Sequence, residues 1–202
     1  MEGLLRNPSW DGEGERGLVE AARAGDNQAF AQVYTLYFPR VYRYLLARTG
    51  NVADAEDLTE EIFLRVMEAI QRFQWRDVPF SAWLFRIAHN ALISQRRRDG
   101  ARGRSAPLSE ALATDARGPE EIVEKRLALS EIMRATQNLP ETQRLVISLR
   151  FAAGLSVAET AKVLGKGEGN VKVIQHKAIA KLREMLTANP ASHGRKKPAQ
   201  SI

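Results

Sequence analysis

The 202-residue chain contains no cysteine. Disulfides, thiolate metal sites and cysteine nucleophiles are therefore excluded, and a reducing, cytoplasmic setting suits it. Long apolar runs are missing too. Nothing approaches the roughly 18–20 apolar residues of a membrane-spanning helix, so no membrane span is expected. The opening MEGLLRNPSWDGEGERG has no apolar signal core and reads as a disordered tail over 1–17. Histidine is scarce. His89, His176 and His193 are scattered, with no HExxH and no His/Asp or Ser/His/Asp grouping at motif spacing. A phosphate-cradling glycine loop is also lacking. These absences predict no metal site, no cofactor and no enzymatic activity. Alternating strand patterns do not last either, which leaves the 3.6-residue period as the organising signal and an all-α fold as the expectation.

What is present divides into two halves. Hydrophobic residues make up 44% of the chain, enough for a packed core in each of two small helical domains. The net charge of +6 is uneven. Residues 1–99 hold 13 basic and 14 acidic side chains, whereas residues 119–202 hold 14 and 8. The positive excess therefore lies in the second half, as a phosphate-binding surface requires.

Asp26 is placed to cap a helix through Phe30, Val33, Tyr34, Tyr37, Val41, Tyr44 and Leu45, kinked near Pro39. Asn51 with Asp54 caps the next, with Leu58, Ile62, Val66, Met67 and Ile70 on its inner side. Residues 73–80 read as a loop, and a further helix runs from about Ser81 to Arg98. Residues 99–118, rich in glycine, alanine, serine, arginine and proline, lose apolar periodicity and read as a flexible linker. Helices resume at Pro119 and again at about 140–152, and the segment 188–202 reads as a disordered tail. The domains expected are 18–98 and 119–187.

Residues 156–183 carry a helix-turn-helix pattern. Ala161 lets two helices cross closely, Gly165 supplies the positive-φ turn, and Val171 closes the small core from the second helix. Ser156 and Glu159 stand at capping-box spacing.

The first half adds two surfaces. Asp54, Glu56, Asp57, Glu60 and Glu61 crowd one helix start. One or two acids there suit the helix dipole. Five within eight residues suit a basic protein partner and repel DNA, and they line a helix rather than a cation cavity. Further on, Trp75, Arg76, Phe80, Ser81, Trp83, Phe85, Arg86, His89 and Asn90 lead to Arg96, Arg97 and Arg98. Aromatics, amides and arginines around one loop and helix suit unstacked single-stranded DNA. Core packing for Trp83 and Phe85, and dipole capping by the arginines, stand beside that reading.

On these motifs the chain resembles the extracytoplasmic-function (ECF) sigma factors, two-domain initiation subunits of bacterial RNA polymerase. DAEDLTEEIFLRV resembles the family's core-binding helix of region 2, PFSAWLFRIAHNALISQRRR its −10 segment, and LPETQRLVISLRFAAGLSVAETAKVLGKGEGNVKVIQHKAIAKLRE its region 4. The resemblance implies that Asp54, Glu56, Asp57, Leu58, Thr59, Glu60, Ile62 and Phe63 dock on the β′ clamp helices of core RNA polymerase. It implies a −10 DNA surface of Trp75, Arg76, Phe80, Ser81, Trp83, Arg86, Asn90, Arg96, Arg97 and Arg98, with residues 75–81 capturing a flipped base. It implies a −35 surface of Gly169, Asn170, Lys172, Val173, Gln175, His176 and Lys177. The partners implied are core polymerase (β′ and β subunits), promoter DNA and an anti-sigma factor.

The chain also departs from that pattern. Lys166 stands where an apolar residue is preferred, Gly167 follows it, and Val173–Ile174 replace more polar residues. Readout at −35 is then expected to lean on shape and thymine methyls. The competing reading is an autonomous helix-turn-helix regulator that binds duplex DNA without polymerase.

Overall fold

The computed structural model describes residues 12–75, 78–101 and 120–188, and every regular element among them is helical. Four helices build the first domain. They are α1 (Gly12–Arg23), α2 (Asn27–Thr49), α3 (Val52–Ala69), prolonged by a 3₁₀ turn at Ile70–Arg72, and α4 (Phe80–Ala101). Four more build the second: α5 (Glu120–Gln137), α6 (Glu141–Ile147), α7 (Val157–Leu164) and α8 (Glu168–Ala188). A π turn, Ser148–Ala152, leaves α6.

The sequence specifies most of these ends. The Asp26 carboxylate accepts from the backbone N–H groups of Gln28 and Ala29, and Asn51 accepts from that of Asp54. Gly50 ends α2 at φ 72, its N–H donating to the Leu46 carbonyl. Pro39 lies inside α2 rather than ending it. Burial of Val33, Tyr37, Val41, Tyr44 and Leu45 on either side holds the helix through the missing hydrogen bond.

Three boundaries move. Residues 12–17 belong to α1 rather than to a tail. Three glycines weaken that helix intrinsically, but Val19 and Ala22 are buried against the core, and tertiary burial overrides propensity. Residues 99–101 continue α4. Phe80 opens α4 instead of closing the loop. The remainder of the expected tails and linker, residues 1–11, 102–118 and 189–202, lies outside the described residues.

The two domains are docked. Leu149, Ala153, Leu155 and Val163 of the second join the same buried cluster as Val33, Tyr44, Leu58 and Phe85 of the first. A smaller cluster of Val146, Ala161 and Val171 holds the helix-turn-helix together. The expected inner row of α3 holds at Leu58, Ile62, Val66 and Ile70 and fails at Met67, which is 51% exposed.

Candidate nucleic-acid and polymerase interfaces

The helix-turn-helix is built as its spacing requires. Ser156 accepts from the Glu159 backbone N–H at 3.1 Å, and Glu159 Oε2 accepts from the Ser156 N–H at 2.6 Å, completing a capping box. Gly165 adopts φ 62, while the N–H of Lys166 donates back to the Ala161 carbonyl at 3.0 Å. Ala161 and Val171 are buried between α7 and α8. The α8 face opposite Val171 and Ala178 presents Lys172, Val173, His176 and Lys177 to solvent, with Gly169 and Asn170 exposed one turn earlier. Lys166 is exposed outright. Gln175 is not on that face. It is half-buried, and its Oε1 accepts from Arg150 Nε at 2.8 Å, so it braces α8 against the π turn and is a correction to the expected DNA-facing set.

The acidic helix separates into two sides. Glu56, Asp57 and Glu60 are exposed, and Asp54 is half-buried. Leu58, Thr59, Ile62 and Phe63 are buried and have no surface to give a partner. Phe63 packs against Tyr34, ring centres 4.7 Å apart, and the Thr59 hydroxyl donates to the Ala55 carbonyl at 2.6 Å. These four hold the acidic side in place rather than forming it. The surface beside the acids includes Leu64, 59% exposed, Met67 and the partly exposed Tyr34. The sequence carries a signal for Leu64. It falls two positions from both Ile62 and Val66, on the far side of the helix from the Leu58–Ile62–Val66 row, where an apolar residue has no core to enter.

The loop before α4 is an aromatic cluster. Phe73 meets Trp75, Phe80 and Trp83 at ring separations of 5.0, 5.3 and 5.1 Å. Phe80 and Ser81 are buried, so neither offers a face to a base in this conformation. Trp75 and Trp83 are half-buried. The Arg16 guanidinium lies over Trp75, 5.6 Å from the ring centre, and the Trp75 indole N–H is buried without an acceptor. Phe85 is core, edge-on to Tyr44 at 5.7 Å. Arg76 lies outside the described residues. Asn90, Arg97 and Arg98 are exposed along α4, Arg98 reaching Glu61 at 3.9 Å.

The other polar groups of α4 face the second domain. Ser81 donates to Glu159 Oε1, Arg86 Nη2 donates to the Lys162 carbonyl at 2.6 Å, and Arg96 Nη1 donates to Glu141 Oε1 at 2.9 Å. The α2 arginines close the same seam. Arg40 and Arg43 donate to the carbonyls of Ala153 and Ala152, which the π turn leaves without helical partners. Gln137 Nε2 donates to the Ala47 carbonyl at 2.7 Å.

Glu141 gathers Arg48, Arg96 and Arg144. Burial raises its carboxyl pKa, but hydrogen bonds from Arg144 and Arg48 and the charges of Arg48 and Arg96 outweigh this and bring it down to about 2. Glu159 is also below the carboxylate range, burial being outweighed by hydrogen bonds from Ser81 and Ser156. Burial, then the charge of Arg48, lowers the His89 pKa. Burial pushes the Tyr44 hydroxyl up to about 12 against the neighbouring arginines.

The described residues thus form an all-helical fold with a helix-turn-helix in one domain and an acidic helix in the other. Residues 33–102 match Sigma-70 region 2, and residues 135–184 match Sigma-70, region 4. The ECF RNA polymerase sigma factor BldN of Streptomyces coelicolor is 38% identical over 90% of this chain and 70% of its own length. SigD of Mycobacterium tuberculosis is 35% identical over 90% of this chain and 89% of its own. CnrH, solved in complex with the cytosolic domain of CnrY, superposes with a TM-score of 0.63 at 29% identity, covering 87% of this chain and 98% of that one. The chain belongs to the ECF RNA polymerase sigma factors, and its function is RNA polymerase-associated transcription initiation. No helix among the described residues is long and apolar enough to cross a membrane, and no group of three or more potential metal ligands occurs among them.

Proposed function

We propose that the two regions divide promoter recognition between separate surfaces, and that the polymerase rather than this chain performs the chemistry in the cytoplasm. The acidic side of α3, with Asp54, Glu56, Asp57 and Glu60, docks on the β′ clamp helices. Leu64 and Met67 supply the apolar part of that contact. Opposite charge speeds encounter and fixes register, while the apolar patch supplies buried area. Asn90, Arg97 and Arg98 face the −10 strand, the arginines holding phosphates. Lys172, Val173, His176 and Lys177 enter the major groove at −35, where Val173 suits a thymine methyl and the lysines suit guanine acceptors or phosphates.

The observation that carries this reading is the order and orientation of the two regions. An acidic helix with exposed apolar residues precedes an arginine-ended helix and then an outward-facing recognition helix. A pull-down with core polymerase lacking sigma tests it. Stoichiometric capture that disappears on charge reversal at Asp54 and Asp57 supports the reading, and no capture overturns it. Tight duplex binding by the free chain in a gel shift would instead favour an autonomous regulator.

An anti-sigma factor is proposed as a further partner. CnrH was solved with the cytosolic domain of CnrY, and the sigma factor RpoE of Bartonella quintana with the anti-sigma factor NepR. Here an apolar groove of roughly 260 Å³, lined by Leu46, Leu129, Ile132, Met133 and Phe151, continues the seam between the domains. An amphipathic helix of the anti-sigma factor, seated there, would hold both domains together.

A further inference from the structure

Arg48 lies in the last turn of α2, and its side chain is only 1% exposed. Its Nη2 donates to Glu141 Oε1, the Tyr44 hydroxyl lies beside the guanidinium, and Nε and Nη1 make no hydrogen bond of good geometry. Arg96, from α4, donates through Nη1 to the same Glu141 oxygen and through Nη2 to the Arg48 carbonyl at 2.7 Å. Two guanidinium groups of the first domain thus converge on one oxygen that the second domain supplies.

The two sides of this contact are not equivalent. Arg48 and Arg96 are fixed by helices of one domain. Glu141 stands in the first turn of α6, across the seam, and its side chain is half exposed. If the second domain moves away, the arginines remain as neighbours, with spare donors and like charge, and need another oxyanion. Paired guanidiniums with free N–H groups match a phosphodiester, which offers two oxygens where the carboxylate gives this pair one. Arg97 and Arg98 continue the positive surface beyond Arg96. The same docking also engages Ser81 with Glu159 and Arg86 with the Lys162 carbonyl, so the second domain lies across α4 as a whole.

We propose that Arg48 and Arg96 form a binding site for a DNA backbone phosphate, and that Glu141 fills this site in the docked chain as an intramolecular competitor. The proposal rests on reading α4 as a DNA-binding helix. It brings in Arg48 of α2 beside the α4 arginines and makes the docked arrangement self-inhibiting towards DNA.

The test uses the full chain without polymerase and a fluorescein-labelled single-stranded oligonucleotide of mixed sequence. Glu141→Gln should bind on the order of tenfold more tightly than the natural protein, and its salt slope should steepen by about 0.7 per arginine freed. Glu141→Gln/Arg96→Gln should lose that gain. Gln137→Ala, which loosens the seam without changing charge, should produce a smaller gain in the same direction. Unchanged affinity in Glu141→Gln, with a natural melting profile, overturns the proposal, as does a gain that survives Arg96→Gln. The underlying reading fails separately: if Arg97→Gln/Arg98→Gln leaves oligonucleotide binding unaltered, α4 is not a DNA surface. If inorganic phosphate raises the melting temperature of Glu141→Gln as much as the oligonucleotide does, the ligand is free phosphate and the DNA assignment is overturned.

Discussion

The Glu159 carboxylate is shared between two domains. One oxygen accepts from the Ser156 backbone N–H within the capping box of α7, and the other accepts from the Ser81 hydroxyl of α4. Ser81 therefore ties α4 to the start of the helix-turn-helix. A hydrogen bond to an ionised group contributes about 1.5–3 kcal/mol. Ser81→Ala should weaken domain docking by that order while leaving the helix-turn-helix folded. Glu159→Ala should weaken docking and also destabilise the helix-turn-helix, by about 1 kcal/mol, through loss of the capping box. Paired fluorophores on the two domains report docking, and helix signal on heating reports folding. Identical behaviour of the two variants in both measurements would contradict the shared role.

Acidification should undock the domains. Glu141 and Glu159 have carboxyl groups held below their ordinary values, Glu141 at about 2. A depressed carboxyl contributes stability that is present above its unfolded value and lost as the pH falls through the folded one. For Glu141 that window runs from about 4.5 down to about 2. The His89 pKa is lowered by burial, so its contribution is likewise lost as the pH drops below the ordinary histidine value of 6.5. All three act in the same direction. Interdomain fluorescence transfer should be flat near neutrality and fall on the acid side, and Glu141→Gln should flatten its lowest part.

The helices and the helix-turn-helix were legible because their signals are local. Asp26, Asn51, Ser156 and Gly165 each act within a few residues of themselves. The outward face of α8 followed from the burial of Val171. What the sequence hid was decided by distant partners. Thr59 and Phe63 are taken up by the core beside the Leu58–Ile62 row, and Met67 is left outside it, because of how the neighbouring helices pack. Gln175 turns inward because Arg150, 25 residues earlier, meets it there. Ser81, Arg86 and Arg96 read as free DNA ligands, yet docking engages all three, a consequence of the second domain's position rather than of α4 itself.

Glycine substitutions should separate the turn from its neighbour. Gly165 has φ 62 with open space around an added Cβ, so Gly165→Ala carries backbone strain without a clash and should destabilise the helix-turn-helix by about 1 kcal/mol. Gly167 has no positive φ and equally open surroundings. Gly167→Ala should cost less than Gly165→Ala, the smaller unfolded-state entropy partly offsetting Ala's poorer fit at the position that caps α8. A comparable loss at both positions would show that the turn is not what Gly165 serves.

On α3, core and surface substitutions should act on different quantities. Leu58→Ala should cost about 2–5 kcal/mol of folding stability, since a buried side chain leaves a cavity. Leu64→Ser should change stability by no more than about 0.5 kcal/mol. If Leu64 lies in the polymerase contact, the same substitution should weaken core binding by more than about 1 kcal/mol, roughly fivefold. Titration of labelled protein with core polymerase gives the second quantity, and a chemical melt gives the first. Full core binding by Leu64→Ser would move the contact elsewhere on α3.

On α8 the lysines and Gln175 should part company in the same way. Lys172 and Lys177 are exposed on the outward face. Removing one cation that neutralises a DNA phosphate lowers the slope of log affinity against log salt by about 0.9. Lys172→Ala and Lys177→Ala in reconstituted holoenzyme should each flatten that slope by about one, with little effect on melting, wherever the lysine meets a phosphate rather than a base. Gln175→Ala should leave the slope alone. It removes the acceptor of the Arg150 Nε–H and should lower the stability of the second domain by about 1 kcal/mol or more. A loss of −35 affinity in Gln175→Ala, at unchanged slope and unchanged stability, would return that residue to the DNA surface.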